Sequence, residues 1–99
     1  MTDFRNIINE DILTLIYFYE INDTSQPEII VQLKKIKKKL KRKIKIISID
    51  INENFFLSDK LQIKSTPKFK IFKKQTLIWE QDKIESSDEF INFFNELTW

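Results

Sequence analysis

The chain has 99 residues, about the size of one domain, and 41% of them are hydrophobic, which is enough for one buried core. It contains no cysteine, histidine or glycine. The missing types exclude disulfides, thiol nucleophiles, cysteine-ligated metal centres, a histidine general base and glycine-rich phosphate loops. We therefore expect no cofactor, no metal site and one domain spanning residues 1–99.

The net charge is +2, but it is distributed unevenly. Nine of the twelve residues from Lys34 to Lys45 are Lys or Arg, and both flanking stretches are mildly acidic. The N-terminal residues show no signal-peptide pattern, and the apolar runs are too short to span a bilayer. We expect a cytoplasmic protein with no membrane insertion.

Hydrophobic patterning predicts the first elements. A short helix is expected over Asp3–Asn9. The next segment, Leu13–Tyr19, is apolar or aromatic on both alternating faces, which is typical of a central strand covered on both sides. The polar segment Asn22–Gln26 should form a turn.

A long helix should follow and reach about Lys43, because its apolar residues recur at helical spacing. Ser25 and Glu28 have the spacing of a capping box, in which each side chain bonds the other's backbone N–H. Pro27 suits the first turn, where a missing N–H costs nothing.

The middle of the chain predicts a second strand at Ile44–Ile51, rich in β-branched residues. A short helix should then run over Asn54–Leu61, capped by Asn52.

The last third predicts a hairpin and a helix. Lys68–Lys73 alternates charged and apolar residues, so we expect one wet face, and Thr76–Glu80 should return after a tight turn at Lys74–Gln75. Such turns usually need positive φ, so strained residues or a longer loop are expected there. Ser86 and Glu89 form a second capping-box pattern, so the final helix should begin at Ser86 or the next residue.

This order predicts an α/β fold. The strand–helix–strand half should be a right-handed parallel crossover, and the hairpin should add antiparallel strands. The result is a mixed four-stranded sheet with helices on both faces.

Four segments carry a resemblance to the thioredoxin family, and the last of them, LIWEQ (residues 77–81), resembles its final strand. LIYFY (residues 15–19) resembles the family's central strand, and IISIDINEN (46–54) resembles its next strand and helix cap. LQIKSTPKFKIFK (61–73) is similar to the stretch with the family's cis-proline, here Thr66–Pro67. The resemblance implies a thioredoxin-like fold over nearly the whole chain.

The same resemblance shows what has been lost. The family's Trp-Cys-Gly-Pro-Cys motif falls on residues 22–26, so Asp23 and Gln26 stand where the two cysteines would be. The family's buried Asp falls on Tyr17, and its late glycine falls on Lys83. Thiol–disulfide exchange needs a thiolate. We therefore predict a redox-inactive protein that is not an enzyme.

The first candidate site is the groove that the family uses for extended peptides. We call it the Pro67 groove. We predict that one edge makes main-chain contacts through Ser65, Thr66 and Pro67. The opposing lip should be formed by Asn22, Asp23 and Thr24. Binding would be strand addition to a protein or peptide partner. The alternative is that Pro67 is only structural and that Asp23 is only a helix cap.

The second candidate is the basic segment, defined as Lys34, Lys35, Lys37, Lys38, Lys39, Lys41, Arg42, Lys43 and Lys45. It could bind nucleic acid, an anionic surface or an acidic partner. It has no aromatic residue that could stack on bases, so we rank nucleic acid behind a peptide. The plainer interpretation is a solvated helix face.

Three weaker possibilities remain open. Carboxylates are dense at residues 80–89, but their spacing matches no calcium loop. Surplus aromatic residues could form a partner surface, and the candidates are Tyr19, Phe72, Trp79 and Trp99. The last alternative is a thioredoxin-family member by descent, assigned to cell redox homeostasis without disulfide reductase activity. We expect a monomer or weak homodimer.

Overall fold

The structure, a computed structural model, describes Ile8 and residues 11–98. It contains four strands and three α-helices. In chain order they are β1 (Leu13–Tyr19), α1 (Gln26–Leu40), β2 (Ile44–Asp50), α2 (Phe55–Lys60), β3 (Lys68–Lys73), β4 (Thr76–Gln81) and α3 (Ser87–Thr98). The helix expected over Asp3–Asn9 lies outside the described residues, apart from Ile8.

The strands form one mixed sheet in the order β2-β1-β3-β4. β1 pairs with β2 in parallel and with β3 antiparallel, and β4 is antiparallel to β3. This is the predicted combination of a parallel crossover and a hairpin. None of the helices in the described part is long and apolar enough to cross a membrane.

Each face of the sheet is covered by helices, as the sequence predicts. One apolar cluster joins β1, β2 and β3 to α1 and α3, and at its centre are Leu15, Tyr17, Ile36, Phe69 and Phe94. The other cluster lies against α2 and includes Ile8, Ile16, Phe18, Ile63 and Phe72. Burial of these side chains supplies the main driving force for folding, at about 25 cal/mol per Å² of apolar surface.

The prediction that one face of β3 is exposed to solvent is wrong. Lys70 is only 7% exposed, and Phe72 on the same face is buried in the second cluster. β3 is an inner strand between β1 and β4, and its lysine face is on the side of the sheet where the second cluster packs. The Lys70 ammonium donates to the Leu61 carbonyl at 3.2 Å and lies 3.4 Å from the Glu80 carboxylate, which compensates its burial.

The start and the end of α1 both differ from the predictions. Ser25 is the N-cap, but it adopts helical φ and ψ, and its side chain makes no cap bond, so the capping box with Glu28 does not form. Pro27 does occupy the first turn. The α-helix ends at Leu40, because Lys41 has φ 51° and ψ −119°, and a 3₁₀ turn continues to Lys43.

The other element boundaries are closer to the expected ones. The N-cap of α2 is Asn54, not Asn52, whose backbone N–H instead donates to the Asp50 carboxylate. At α3 the Glu89 N–H donates to the Ser86 hydroxyl at 3.3 Å, which confirms that half of the predicted capping box.

The tight turn of the β3–β4 hairpin is made without glycine. Lys74 has φ 47° and Gln75 has φ 69°, the left-handed pair that a two-residue hairpin turn needs. The prediction of strained residues is therefore confirmed. A further bond, from the Gln75 N–H to the Ile8 carbonyl at 3.0 Å, holds this turn against the N-terminal part of the chain.

Candidate functional site

The residues predicted to form the Pro67 groove lie at the end of the sheet where β1 finishes and β3 begins. Phe18 pairs with Lys68 in the antiparallel register, so the turn after β1 and the segment before β3 extend from adjacent strands at the same end. The peptide bond between Thr66 and Pro67 is cis. The two predicted sides of the groove are distant in sequence, but one directly follows β1 and the other directly precedes β3, and these two strands are neighbours.

The side chains of the groove differ in exposure. Asn22, Thr24 and Ser65 are exposed, whereas Asp23, Thr66 and Pro67 are partly buried. Neither Ser65 nor Thr66 makes a hydrogen bond in the part of the chain that the structure describes. This edge thus presents backbone N–H and C=O groups that no neighbouring strand uses.

Asp23 stabilises the turn that leads into α1. Its Oδ1 accepts hydrogen bonds from the Ser25 N–H at 2.9 Å and from the Ser25 hydroxyl at 2.6 Å. The hydroxyl bond first, and the backbone bond second, hold the pKa of the Asp23 carboxyl below its usual value. Asp23 is therefore an anion at neutral pH, already engaged with its own chain.

Tyr17 is buried and stacks on two aromatic rings. Its ring centroid lies 5.2 Å from that of Phe69 and 5.4 Å from that of Tyr19. Burial raises the pKa of the Tyr17 phenol to about 12, and the Asp23 charge adds to the rise. Within the described residues, neither the Tyr17 hydroxyl nor Oδ2 of Asp23 has a hydrogen-bond partner, although both atoms are buried.

Gln26, which the family resemblance predicts to stand at the second cysteine position, is the first residue of α1 and is partly buried. Its N–H donates to the Asp23 carbonyl at 3.3 Å, so both positions belong to one helix-start turn. Neither an amide nor a carboxylate can attack a disulfide sulfur.

The basic segment gathers at the opposite end of the sheet. Its residues occupy the second half of α1, the 3₁₀ turn and the first part of β2, all next to the start of β1. The hairpin lysines Lys73 and Lys74 lie at this same end, although they are distant from the basic segment in sequence. Lys43 and Lys73 line one cavity of about 550 Å³.

Not every lysine of the basic segment is available to a partner. The Lys37 ammonium donates to the carbonyl oxygens of Lys41 at 2.9 Å and of Ile44 at 2.7 Å. It therefore satisfies carbonyls at the end of α1, where a cation also interacts favourably with the helix dipole. Lys35, Lys38 and Lys39, by contrast, line a groove between α1 and α3.

The remaining candidates separate into core and surface. Phe72 is buried, Tyr19 and Trp79 pack partly against the first cluster, and Trp99 lies outside the described residues. No group of three or more carboxylates that could hold a metal occurs in the described part. The most exposed aromatic side chains in the described part are Phe55 (66%) and Phe56 (88%). The sequence predicts a helix at these positions but does not indicate that the two rings are exposed.

The family model for thioredoxin matches residues 1–96, so the chain belongs to the thioredoxin family. The search of curated proteins found no match.

Solved structures give the same fold. Thioredoxin from Trypanosoma brucei brucei has a TM-score of 0.80 at 22% identity, covering 95% of this chain and 81% of its own. Thioredoxin f2 of Chlamydomonas reinhardtii has a TM-score of 0.81 at 20% identity, covering 96% and 89%. Thioredoxin-2 of the malaria parasite has a TM-score of 0.79 at 21% identity, covering 86% and 82%. These likenesses concern the fold.

Proposed function

We propose that this chain is a redox-inactive thioredoxin-family protein that binds an extended protein or peptide segment in the Pro67 groove without converting it. The partner would lie along Ser65, Thr66 and Pro67, with the turn Asn22–Thr24 as the opposing lip. Its role is to hold a partner and not to catalyse a reaction.

The observation that carries this proposal is the free backbone of Ser65 and Thr66. In strand addition the main-chain hydrogen bonds give affinity, and they require unused N–H and C=O groups at an accessible edge. Ser65 is exposed, and neither residue bonds within the described part. An extended peptide could therefore pair here without breaking an existing bond.

The absence of catalysis follows from the side chains at the other lip. The chain has no cysteine to form a mixed disulfide and no histidine to act as a general base. Asp23 is a weak nucleophile, and its Oδ1 already accepts two hydrogen bonds from Ser25.

A protein of the same fold is described as part of a larger assembly. The malaria-parasite thioredoxin-2 is described as a component of a protein secretion machinery. A thioredoxin fold can thus be part of an assembly, and this chain has the same fold without the thiols.

Peptide affinity in a matched pair of variants tests the proposal. An array of unstructured ten-residue peptides selects a binder, and fluorescence anisotropy then measures its Kd. Thr66→Pro removes the Thr66 N–H, whereas Thr66→Val keeps the N–H and replaces only the side-chain hydroxyl. Losing one main-chain bond of about 1 kcal/mol should weaken binding roughly fivefold in the proline variant only.

Equal affinity of the two Thr66 variants, each shown to be folded by its Tm, would remove the groove from consideration. Asp23→Lys provides a second probe of the opposing lip. It should change the affinity for charged peptides even if Thr66→Pro fails to fold. An unchanged peptide profile in Asp23→Lys would also count against this site.

Two assays distinguish peptide binding from family membership by descent alone. If the chain is a family member by descent alone, no peptide of the array binds above background. An insulin-reduction assay at high protein concentration should show no turnover under either interpretation, and measurable turnover would contradict both.

A second candidate function is electrostatic binding of nucleic acid through the basic segment. It is favoured by one structural observation, namely that Lys73 and Lys74 join this segment at the same end of the sheet. Affinity for a 20-base-pair duplex should then fall steeply as salt rises, whereas peptide binding in the Pro67 groove should change little. Charge reversal at Lys38 and Lys39 should abolish duplex binding, and the same change at Lys60 and Lys64 is the control.

The cytoplasmic location and the monomeric or weakly dimeric state remain predictions. Light scattering over a range of protein concentrations measures the latter directly.

A further inference from the structure

A cavity of about 310 Å³ lies between β4 and α3, and three aromatic side chains line it. Trp79 of β4 meets Phe90 edge to face at 5.6 Å between ring centroids, and it lies 5.8 Å from Phe93 at an angle of 39°. Trp79 and Phe93 are only partly buried, so part of their ring surface faces the cavity opening. We call this the aromatic cavity.

The charged residues of the aromatic cavity are mostly acidic. Glu85 and Glu89 line it together with one cation, Lys83, whose ammonium pairs with Glu85 at 3.2 Å. Glu89 is exposed and forms no ion pair within the described residues. The nearby Asp82 is paired with Lys68 at 2.6 Å, so the three charged lining residues, Lys83, Glu85 and Glu89, set the local charge, which sums to −1.

We infer that the aromatic cavity binds an alkylammonium group. The face of an aromatic ring carries partial negative charge and attracts a cation placed over it, most strongly for Trp. The Glu89 carboxylate adds a charge that Lys83 does not neutralise. A ligand with apolar carbons around a positive nitrogen satisfies the rings and the carboxylate together, whereas an anion would be repelled.

The volume agrees with a small group of this kind. Pockets of about 300 Å³ are at the lower limit for small-molecule sites, and they usually combine apolar walls with a few polar groups. The aromatic cavity is formed by β4, α3 and the loop between them, and none of its lining residues belongs to the Pro67 groove. The inference therefore does not depend on the proposed function.

Trp79 fluorescence tests the inference directly. The chain has two tryptophans, so Trp99→Phe leaves Trp79 as the only indole. Choline is titrated at constant ionic strength, and its neutral carbon isostere 3,3-dimethylbutan-1-ol is titrated in parallel. We expect choline to change the fluorescence saturably with a Kd at least threefold lower than that of the alcohol, because only choline gains the cation–π attraction.

Three variants distinguish a site from a general charge effect. Glu89→Gln should weaken choline binding about threefold, and Glu85→Gln should weaken it too, since Lys83 is then left unpaired. Glu96→Gln makes the same chemical change on α3 outside the cavity and should have no effect. Tm values show whether each variant is folded.

Two arms identify the source of the cation. A peptide carrying trimethyllysine that binds more tightly than choline indicates a modified protein, and the reverse order indicates a free small molecule. The inference is overturned if neither probe binds saturably. Equal binding of choline and the alcohol, or loss of binding in Glu96→Gln alone, would also overturn it.

Discussion

The Asp23 carboxylate accepts both the backbone N–H and the hydroxyl of Ser25, at 2.9 and 2.6 Å. The family resemblance predicts that Asp23 stands where the first active-site cysteine would be, just before α1. The carboxylate orders this turn through its two hydrogen bonds from Ser25. The helix start is therefore intact in a chain that has no thiol.

The Asp23–Ser25 bonds should make stability depend on acid pH. The pKa of Asp23 is lowered in the folded state, so its contribution is present above the ordinary carboxyl pKa and is lost as pH falls through the folded value. Urea unfolding from pH 7 to pH 2 should show wild type more stable than Asp23→Asn, with the difference shrinking in acid. Asp59→Asn is the control, and a pH-independent difference would contradict this role.

Tyr17 should produce the opposite dependence in alkali. Its pKa is about 12 in the folded state, above the ordinary tyrosine value of about 10, so the folded state keeps the proton longer than the unfolded chain does. Because burial disfavours the phenolate, this group leaves the free energy of unfolding unchanged below pH 10 and lowers it as pH rises from 10 towards 12, by about 3 kcal/mol at most. Tyr17→Phe should remove this fall, whereas Tyr19→Phe should retain it, as measured by urea unfolding at each pH.

The Tyr17 hydroxyl should also cost stability at neutral pH. It is buried without a hydrogen-bond partner among the described residues, and a buried unpaired hydroxyl costs about 1 kcal/mol or more. Tyr17→Phe should therefore raise the free energy of unfolding at pH 7 by about 1 kcal/mol. A decrease in that free energy would show that the hydroxyl makes a stabilising interaction.

Glycine should stabilise the positions that have positive φ. Lys41, Gln62, Lys74 and Gln75 all adopt such angles in a chain that has no glycine. Relief of the Cβ clash should outweigh the extra flexibility of the unfolded chain, by about 0.5–1 kcal/mol for Gln62→Gly or Lys74→Gly. Lys73→Gly, in the adjacent strand, should destabilise instead. Thermal unfolding that ranks Lys74→Gly below wild type would contradict the assignment of strain.

Two cysteines should restore thiol chemistry to this scaffold. In Asp23→Cys with Gln26→Cys, the α1 N-terminus lowers the pKa of the first thiol and favours its reactive thiolate. We expect this variant to reduce insulin, and we expect wild type and the matching double-serine variant to give no turnover. A folded but inactive double-cysteine variant would show that more than the thiols has been lost.

The sequence predicts the architecture well because its strongest patterns are long. The two-faced apolar run Leu13–Tyr19 and the helical stripe that follows it identify the central strand and α1 without tertiary information. Lys70 could not be predicted in the same way, since its burial depends on β3 being an inner strand. The sequence pattern of β3 alone is equally compatible with an edge position.

Local competition explains the errors at the helix ends. Ser25 and Glu28 have the spacing of a capping box, but Asp23 is two residues away and takes the Ser25 hydroxyl first. An Asp two residues before a Ser is itself a turn signal, because its side chain can accept a hydrogen bond from the backbone two residues further on. The end of α1 depends on the φ of Lys41, which no apolar pattern encodes.

The candidate sites were predictable only in part. Alignment to the family identifies the residues of the Pro67 groove, but the free backbone of Ser65 and Thr66 becomes visible only in the structure. The aromatic cavity was missed because Trp79 and Phe93 come from different elements. The sequence indicates Trp79 only as a core or partner residue.

The amide protons of Ser65 and Thr66 provide the most direct test that the chain holds an extended peptide at this edge. Hydrogen exchange is measured by NMR with and without the array-selected peptide bound. We predict that hydrogen exchange at these two amides slows at least tenfold on peptide binding, while the disulfides of added insulin stay intact. Unchanged exchange at both amides, with protection confined to the basic segment or to β4, would contradict it.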